Sequence, residues 1–204
     1  EPAGTALSIT AEQMVGAPLP SLCDHPAGSL VDGALDGPGE NDGGAWIAGY
    51  PDGDWRTLSF HSWKGTDSRQ YAALVVDCNQ GGVGWPPNVV FYTDGPTVVG
   101  QINVADVVGD GRQSVAAMEP LPNGVRLTLP NTYQDGDAGC CGTQTVVAEF
   151  YWDGYRVRGE VIERIDERST AEQAFTAALV GERAAIDKLF TAEGKPEALE
   201  FHDS

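Results

Sequence analysis

Two continuous apolar runs, separated by a stretch rich in Gly and Pro, constrain the fold of this chain more than any other feature. They are YAALVVD (71–77) and NVVFYT (88–93). A strand with one solvated face alternates apolar and polar residues, whereas a strand covered on both faces is apolar throughout. The two runs therefore predict central strands of a sheet, and we expect the rest of the chain to be organised around the stretch 71–100.

The content of glycine and proline indicates which class of fold surrounds these strands. The 204 residues include 26 Gly and 13 Pro, which favours tight turns and short strands over long helices. The length allows one domain with a full core. We predict a mainly β (α+β) protein with a C-terminal helical element, built as a twisted antiparallel sheet, a small sandwich or a partial barrel.

Three segments are distinguished by their local patterns. Residues 1–20 are expected to form a lead-in with a short helix, because a capping-box pattern begins at Thr10. Residues 21–165 are expected to form a disulfide-stapled antiparallel β domain. A second capping box begins at Ser169 and is followed by apolar residues at helical spacing. Residues 166–204 are therefore predicted to be a helical segment packed on the sheet, with an irregular tail.

Two Xaa-Gly pairs predict hairpins. The Asn-Gly pair at 123–124 would place Pro122 opposite Val125, and the nearby prolines indicate a strand at a sheet edge. The Asp-Gly pair at 153–154 would place Trp152 opposite Tyr155, with the apolar residues of both strands on one face. Turn chemistry and hydrophobic pattern agree in the second hairpin.

The charge of the chain argues against several classes of partner. A net charge of −18 arises from 30 acidic and 12 basic residues, and it repels the phosphates of nucleic acids and of anionic membranes. No run of about 18 apolar residues predicts a transmembrane segment. We interpret the acidity mainly as what keeps a secreted protein in solution, and attraction of a cation or a basic partner is the alternative.

The four cysteines are Cys23, Cys78, Cys140 and Cys141. Their even number, without metal-ligand spacing, predicts disulfides and an extracytoplasmic location, secreted or attached to the outer face of the membrane. Neighbouring residues of a strand point to opposite faces, so we predict that Cys23 and Cys78 each bond one of the adjacent pair. The alternative is a Cys23–Cys78 bond with a vicinal 140–141 ring. Any signal peptide or lipid-anchor cysteine is expected to precede Glu1.

Four segments carry a resemblance to a known family. They are SLCDHPAGSLVDG (21–33), VVDCNQGGVGWPPNVVFYTDGP (75–96), INVADVVGDGRQSV (102–115) and AGCCGTQTVVAEFYWDG (138–154). In this order they resemble a family of secreted proteins and lipoproteins of actinobacteria related to the LppP/LprE lipoprotein group. The resemblance covers about 20–160 and implies an exported protein of the cell envelope. It supplies no catalytic residue.

Candidate ligand-binding residues are few. Asp106 and Asp110 lie in a Gly-rich stretch as calcium loops require, but aspartate is also common in ordinary turns, and Val108 occupies a position where such a loop needs an oxygen. No other cofactor is predicted.

Tryptophans and histidines suggest two further activities. Trp55, Trp63 and Trp85 are candidates for a glycan-stacking surface, although tryptophan in small β domains is commonly core. The three histidines stand outside any nucleophile or zinc motif, so no catalytic residue is assigned.

These observations favour a non-enzymatic, extracytoplasmic module that binds another envelope protein or complex. A glycan-binding module of the cell wall is the alternative, and a hydrolase with an unidentified carboxylate or histidine site is the third hypothesis.

Overall fold

The computed structural model describes residues 8–36, 44–51, 54–79, 85–109, 113–137 and 142–168, together with Glu172 and Phe175. The chain divides into two compact units, 1–164 and 165–204. The described helices are one-turn elements: α1 (Ala11–Met14), α2 (Trp55–Leu58) and α3 (Ala105–Val108). The described strands are β1 (Pro18–Leu19), β2 (Gly28–Ser29), β3 (Ala34–Asp36), β4 (Gly44–Ile47), β5 (Phe60–Lys64), β6 (Gln70–Asn79), β7 (Asn88–Thr93), β8 (Thr97–Asn103), β9 (Ala117–Leu121), β10 (Gly124–Thr132), β11 (Gln144–Trp152) and β12 (Val157–Asp166). The mainly β, antiparallel fold class is confirmed.

Two large sheets make a sandwich. The first has the order β3-β4-β6-β7-β8, with β5 also pairing β6, and the second has the order β12-β11-β10-β9. The inner core between them contains Val75 and Phe91 from the first sheet, and Leu127 and Phe150 from the second. All four side chains have no exposed surface. Strands β1 and β2 form a separate pair.

Strands β6 and β7 are buried on both faces, as the two apolar runs predict. Successive side chains of a strand point to opposite faces. Accordingly Ala73 and Val75 enter the core between the sheets, whereas Leu74 and Val76 enter a second core on the outer side of the first sheet. These four residues are fully buried, so the first sheet is the middle layer of three.

The N-terminal residues form the third layer. Ile9, Met14 and Leu19 are buried in the outer core, and the predicted capping box of Thr10 and Gln13 is present at α1. Residues 8–20 are therefore part of the packed body rather than a lead-in to it.

Polar contacts from neighbouring strands fasten this layer to the middle sheet. The Tyr92 hydroxyl donates to the Pro18 carbonyl oxygen at 3.0 Å, and burial raises the pKa of Tyr92 above its ordinary value. The Gln101 side-chain amide donates to the Ser21 carbonyl oxygen at 2.9 Å. The N-terminal layer is thus bonded to both β7 and β8.

The disulfide pairing predicted for the first two cysteines is wrong. Cys23 bonds Cys78, with 5.7 Å between their Cα atoms, whereas Cys140 and Cys141 lie outside the described residues. Cys23 and Asp24 occupy the centre of a tight turn with φ of 55° and 60°, closed by the Leu22–His25 bridge. This backbone is that of a type I′ turn, which usually carries Gly or Asn. The turn directs Cys23 at β6.

The turn positions of both hairpins differ from the prediction. In the first, Val125 pairs with Pro120 rather than Pro122, so residues 122–123 form the turn. In the second, the amide of Asp153 donates to the Arg156 carbonyl oxygen at 3.2 Å, which moves the turn to 154–155. Both pairings shift by two residues, so every side chain keeps its predicted face.

Gly124 is required by the close approach of two strands and is not part of the turn. A Cβ atom at this position would lie 2.1 Å from the Phe150 carbonyl oxygen, which no side chain can occupy. Pro120 lies on β9, the edge strand of its sheet, as the prolines indicated.

The C-terminal helical segment predicted for 166–204 lies almost entirely outside the described residues and stays a prediction. Among the residues that the structure describes, every helix is too short to traverse a lipid bilayer.

Strands β4 and β5 share one edge of β6, and a buried serine joins them. Ile47 pairs with Val76 and Phe60 pairs with Leu74. At the junction, the fully buried Ser59 hydroxyl donates to the Ala48 carbonyl oxygen at 2.6 Å. This bond therefore links the end of β4 to the start of β5.

Removing the disulfide should lower the stability of the sandwich. Cys23 and Cys78 are 55 residues apart, and a bond closing a loop of this size is expected to stabilise by about 2–4 kcal/mol. Urea denaturation of the double variant Cys23→Ser/Cys78→Ser measures the difference. An unchanged midpoint, or a map of disulfide-linked peptides without a Cys23–Cys78 pair, would contradict this assignment.

Ser59→Ala should destabilise the fold by about 1–2 kcal/mol, because it leaves the buried Ala48 carbonyl without its side-chain donor. Ser29→Ala, on the exposed side of β2, is the matched control and should stay within about 0.5 kcal/mol of the native chain. Denaturant unfolding of the three proteins measures these differences. Equal losses of unfolding free energy in both variants would contradict the role given to Ser59.

Candidate functional site

A groove of about 640 Å³ opens at one end of the sandwich. Its walls come from three segments at strand ends, 63–67, 122–123 and 152–154, and Tyr71 at the start of β6 lies between them. Each segment joins or flanks paired strands, so the two sheets fix its position. We name this feature the hairpin groove.

Stacked aromatic rings form one wall of the hairpin groove. Trp63 and Tyr71 face each other across β5 and β6, with ring centroids 5.9 Å apart and planes 16° apart. The His61 ring stacks on Trp63 at 5.6 Å, and Phe91 meets Trp63 edge-on at 6.1 Å. Such pairs add to the burial energy of the rings, so stacking stabilises this wall.

Tyr71 connects the aromatic wall to the polar rim. Its hydroxyl donates to an Asp67 carboxylate oxygen at 2.7 Å, and Trp152 lines the same groove. The bond from Tyr71 lowers the pKa of Asp67. Burial and the adjacent Asp67 carboxylate raise the pKa of Tyr71. At neutral pH the groove therefore presents an ionised Asp67 beside a neutral phenol.

Asp153 supplies the second carboxylate of the rim. It accepts hydrogen bonds from the Arg158 side chain at 2.9 Å and from the backbone amides of Tyr155 and Arg156. These bonds, led by the one from Arg158, lower the pKa of Asp153 to about 2. Asp153 is thus a fixed anion that also shapes its own turn.

The chemistry of the hairpin groove suits binding better than proton transfer. A general acid at neutral pH needs a pKa raised towards 7, whereas Asp67 and Asp153 both have lowered pKa values. Lys64 adds a positive charge to the same rim. The groove combines aromatic surface with fixed charges of both signs.

The three candidate tryptophans do not come together. Trp55 begins α2 and is buried in the outer core, with 3% of its surface exposed. Trp63 lines the hairpin groove. Trp85 is 40% exposed and is not part of that groove. Tyr71 and Trp152 complete the groove. The alternation of Trp152 with Phe150 along β11 predicts core packing and does not indicate a groove.

The calcium hypothesis is not supported by a described site. Asp106 lies in α3 and is exposed, whereas Asp110 lies outside the described residues. No cluster of three or more metal-ligating side chains occurs within the described part of the chain. Asp137, in another acidic turn, accepts hydrogen bonds from Thr143 and from the Gln134 amide.

Two of the histidines have structural settings. The His61 imidazole Nε2 lies 3.1 Å from the Leu121 carbonyl oxygen, and burial lowers the pKa of His61. His25 is 4% exposed and closes the turn that carries Cys23. Neither histidine lines the hairpin groove.

Comparisons with models of known protein families, with curated proteins and with solved structures find no match to this chain. The resemblance to the actinobacterial lipoprotein group stays a prediction.

The sequence pattern marks Asp77 only as the end of a strand. It is half-buried near the end of β6, and burial raises its pKa to about 6. Burial disfavours the charged form of a carboxyl group that lacks a partner. Asp77 is therefore ionised at neutral pH at a cost in stability.

Asp77→Asn should stabilise the protein at pH 7. A folded pKa of about 6 lies above the ordinary 3.8, so ionisation removes stability as pH rises from about 4 to 6, on the order of 1–3 kcal/mol in total. Most of the gain of the variant should disappear at pH 4, where Asp77 of the folded native protein is protonated. Exposed Asp54→Asn is the control, and equal melts of Asp77→Asn and native protein at pH 7 would contradict the prediction.

Proposed function

We propose that this chain is an extracytoplasmic, non-enzymatic module that binds a segment of a partner protein in the hairpin groove. The observation that carries the proposal is a groove in which a stacked aromatic wall meets charges of both signs. Tryptophan and tyrosine are enriched at the centres of protein interfaces, with charged groups at the rim.

The disulfide supports the location. Cys23–Cys78 joins a turn to a central strand, and stable structural disulfides are typical of secreted and cell-surface proteins. The net charge of −18 favours partners with a basic surface over nucleic acids or anionic lipids.

Glycan binding is the second candidate, favoured because Trp63 and Trp152 line one groove. A sugar stacks on an open ring face, but Trp63 already stacks on two rings and Tyr71 is only 7% exposed. Trp152 would have to supply the stacking surface. The protein partner is therefore the better-supported ligand.

The test blocks the groove without disturbing the core. Thr66 is exposed on the groove wall, so Thr66→Trp fills the groove, whereas Glu160→Trp places the same bulk on exposed β12. Immobilised native, Thr66→Trp and Glu160→Trp proteins are incubated with envelope extract from the cells that produce the chain. A partner should bind native protein and Glu160→Trp, and bind Thr66→Trp at least about tenfold more weakly.

Two results would overturn the proposal. Equal capture by Thr66→Trp and native protein would show that the groove is not the binding surface. Retention of native protein on purified insoluble cell wall, with loss of that retention in Thr66→Trp, would replace the protein partner by a glycan.

A further inference from the structure

Asp77 and Trp46 form a pair at the end of β6 away from the hairpin groove. Tyr71, Ala73, Val75 and Asp77 alternate onto one face of β6, and Tyr71 lies about 20 Å from Asp77 along the strand, at about 3.3 Å per residue. Trp46 on β4 is the register partner of Asp77, so the two side chains lie next to each other on that face.

Besides Trp46, the neighbours of Asp77 on this face of its sheet are two buried valines and, at the strand end, the exposed polar residue Asn79. Val75 precedes it on the same face, and Val89, which pairs with Val75 on β7, is its diagonal neighbour. Both valines are fully buried. Within the described residues, desolvation is the one influence on the carboxylate, and no hydrogen bond or ion pair offsets it. A half-buried charge in such a place is costly unless something pairs with it.

We propose that Asp77 and Trp46 bind an organic cation, the ammonium or guanidinium group of a lysine or arginine side chain. A carboxylate supplies the opposite charge, and the face of an indole attracts cations through its quadrupole. A divalent metal would require further oxygen ligands, whereas one carboxylate beside one aromatic ring suffices for an alkylammonium or a guanidinium.

The charge of the whole chain acts in the same direction. At −18 the field draws basic ligands towards the surface and raises their local concentration. Pairing with a cation also favours ionised Asp77 and so removes the penalty that burial imposes on it. The inference does not depend on the hairpin groove, because it concerns different residues at the other end of β6.

The linkage between protonation and binding gives a sharp test. A cation binds the ionised carboxylate, and with a pKa of about 6 the ionised fraction of Asp77 falls about tenfold from pH 7 to pH 5. The probes are Nα-acetyl-lysine methylamide and Nα-acetyl-arginine methylamide, with the norleucine analogue as the uncharged control. NMR titration follows the Trp46 indole signal and the Asp77 carboxyl carbon.

At least one cationic probe should shift the Trp46 signal saturably at pH 7, bind about tenfold more weakly at pH 5 and lower the titration midpoint of Asp77. Asp77→Asn should abolish these shifts while the protein stays folded, and exposed Asp106→Asn should leave them unchanged. Thr66→Trp should also leave them unchanged, which separates this site from the hairpin groove.

The proposal fails if the norleucine analogue shifts Trp46 as strongly as both cations, since the contact would then be only hydrophobic. It also fails if Asp77→Asn binds the cations as well as the native chain, or if neither cation shifts the Trp46 signal at millimolar concentration.

Discussion

Burial of β6 and β7 on both faces is the constraint from which the remaining structure follows. A strand buried on both sides needs two covering layers, since leaving either apolar face in water would forfeit roughly 25 cal/mol for each Å² exposed. The second sheet covers one face. The N-terminal residues cover the other, and they are bonded to the middle layer by Cys23–Cys78 and by Tyr92. The short strands and one-turn helices are the connections that this layering requires.

Hydrophobic pattern predicted the faces of the strands well and the positions of the turns poorly. Val125, Leu127 and Leu129 are buried as expected, although the turn before them lies one residue earlier than the Asn-Gly pair. A shift by two residues in pairing preserves every face, so periodicity cannot distinguish the two registers. The close approach of Gly124 to Phe150 decides between them, and that contact depends on a third strand that local sequence does not reveal.

The disulfide pairing and the hairpin groove could not be predicted from local sequence, for a related reason. Cys23 reaches β6 because two consecutive residues adopt positive φ in a turn without glycine, and no propensity predicts that backbone for Cys and Asp. The groove joins Tyr71 of β6, Asn123 of the turn between β9 and β10, and Trp152 at the end of β11. Trp63 was identified as a candidate by its residue type, but its neighbours follow from the packing of two sheets. Long-range contacts of this kind require the tertiary structure.

Strand β6 has polar groups near its two ends and apolar residues between them. Ala73 and Val75 fill the inner core, whereas Tyr71 at one end and Asp77 at the other place a polar group at the rim of the sandwich on the same face. The two ends differ in how polarity is stabilised. Tyr71 bonds Asp67 and stacks on Trp63, so the polar group at that end already has partners within the chain. Asp77 has a neighbouring indole and an unfavourable burial, so that end gains most from a ligand that brings positive charge. A basic segment of the proposed partner would offset the cost of burying that carboxylate.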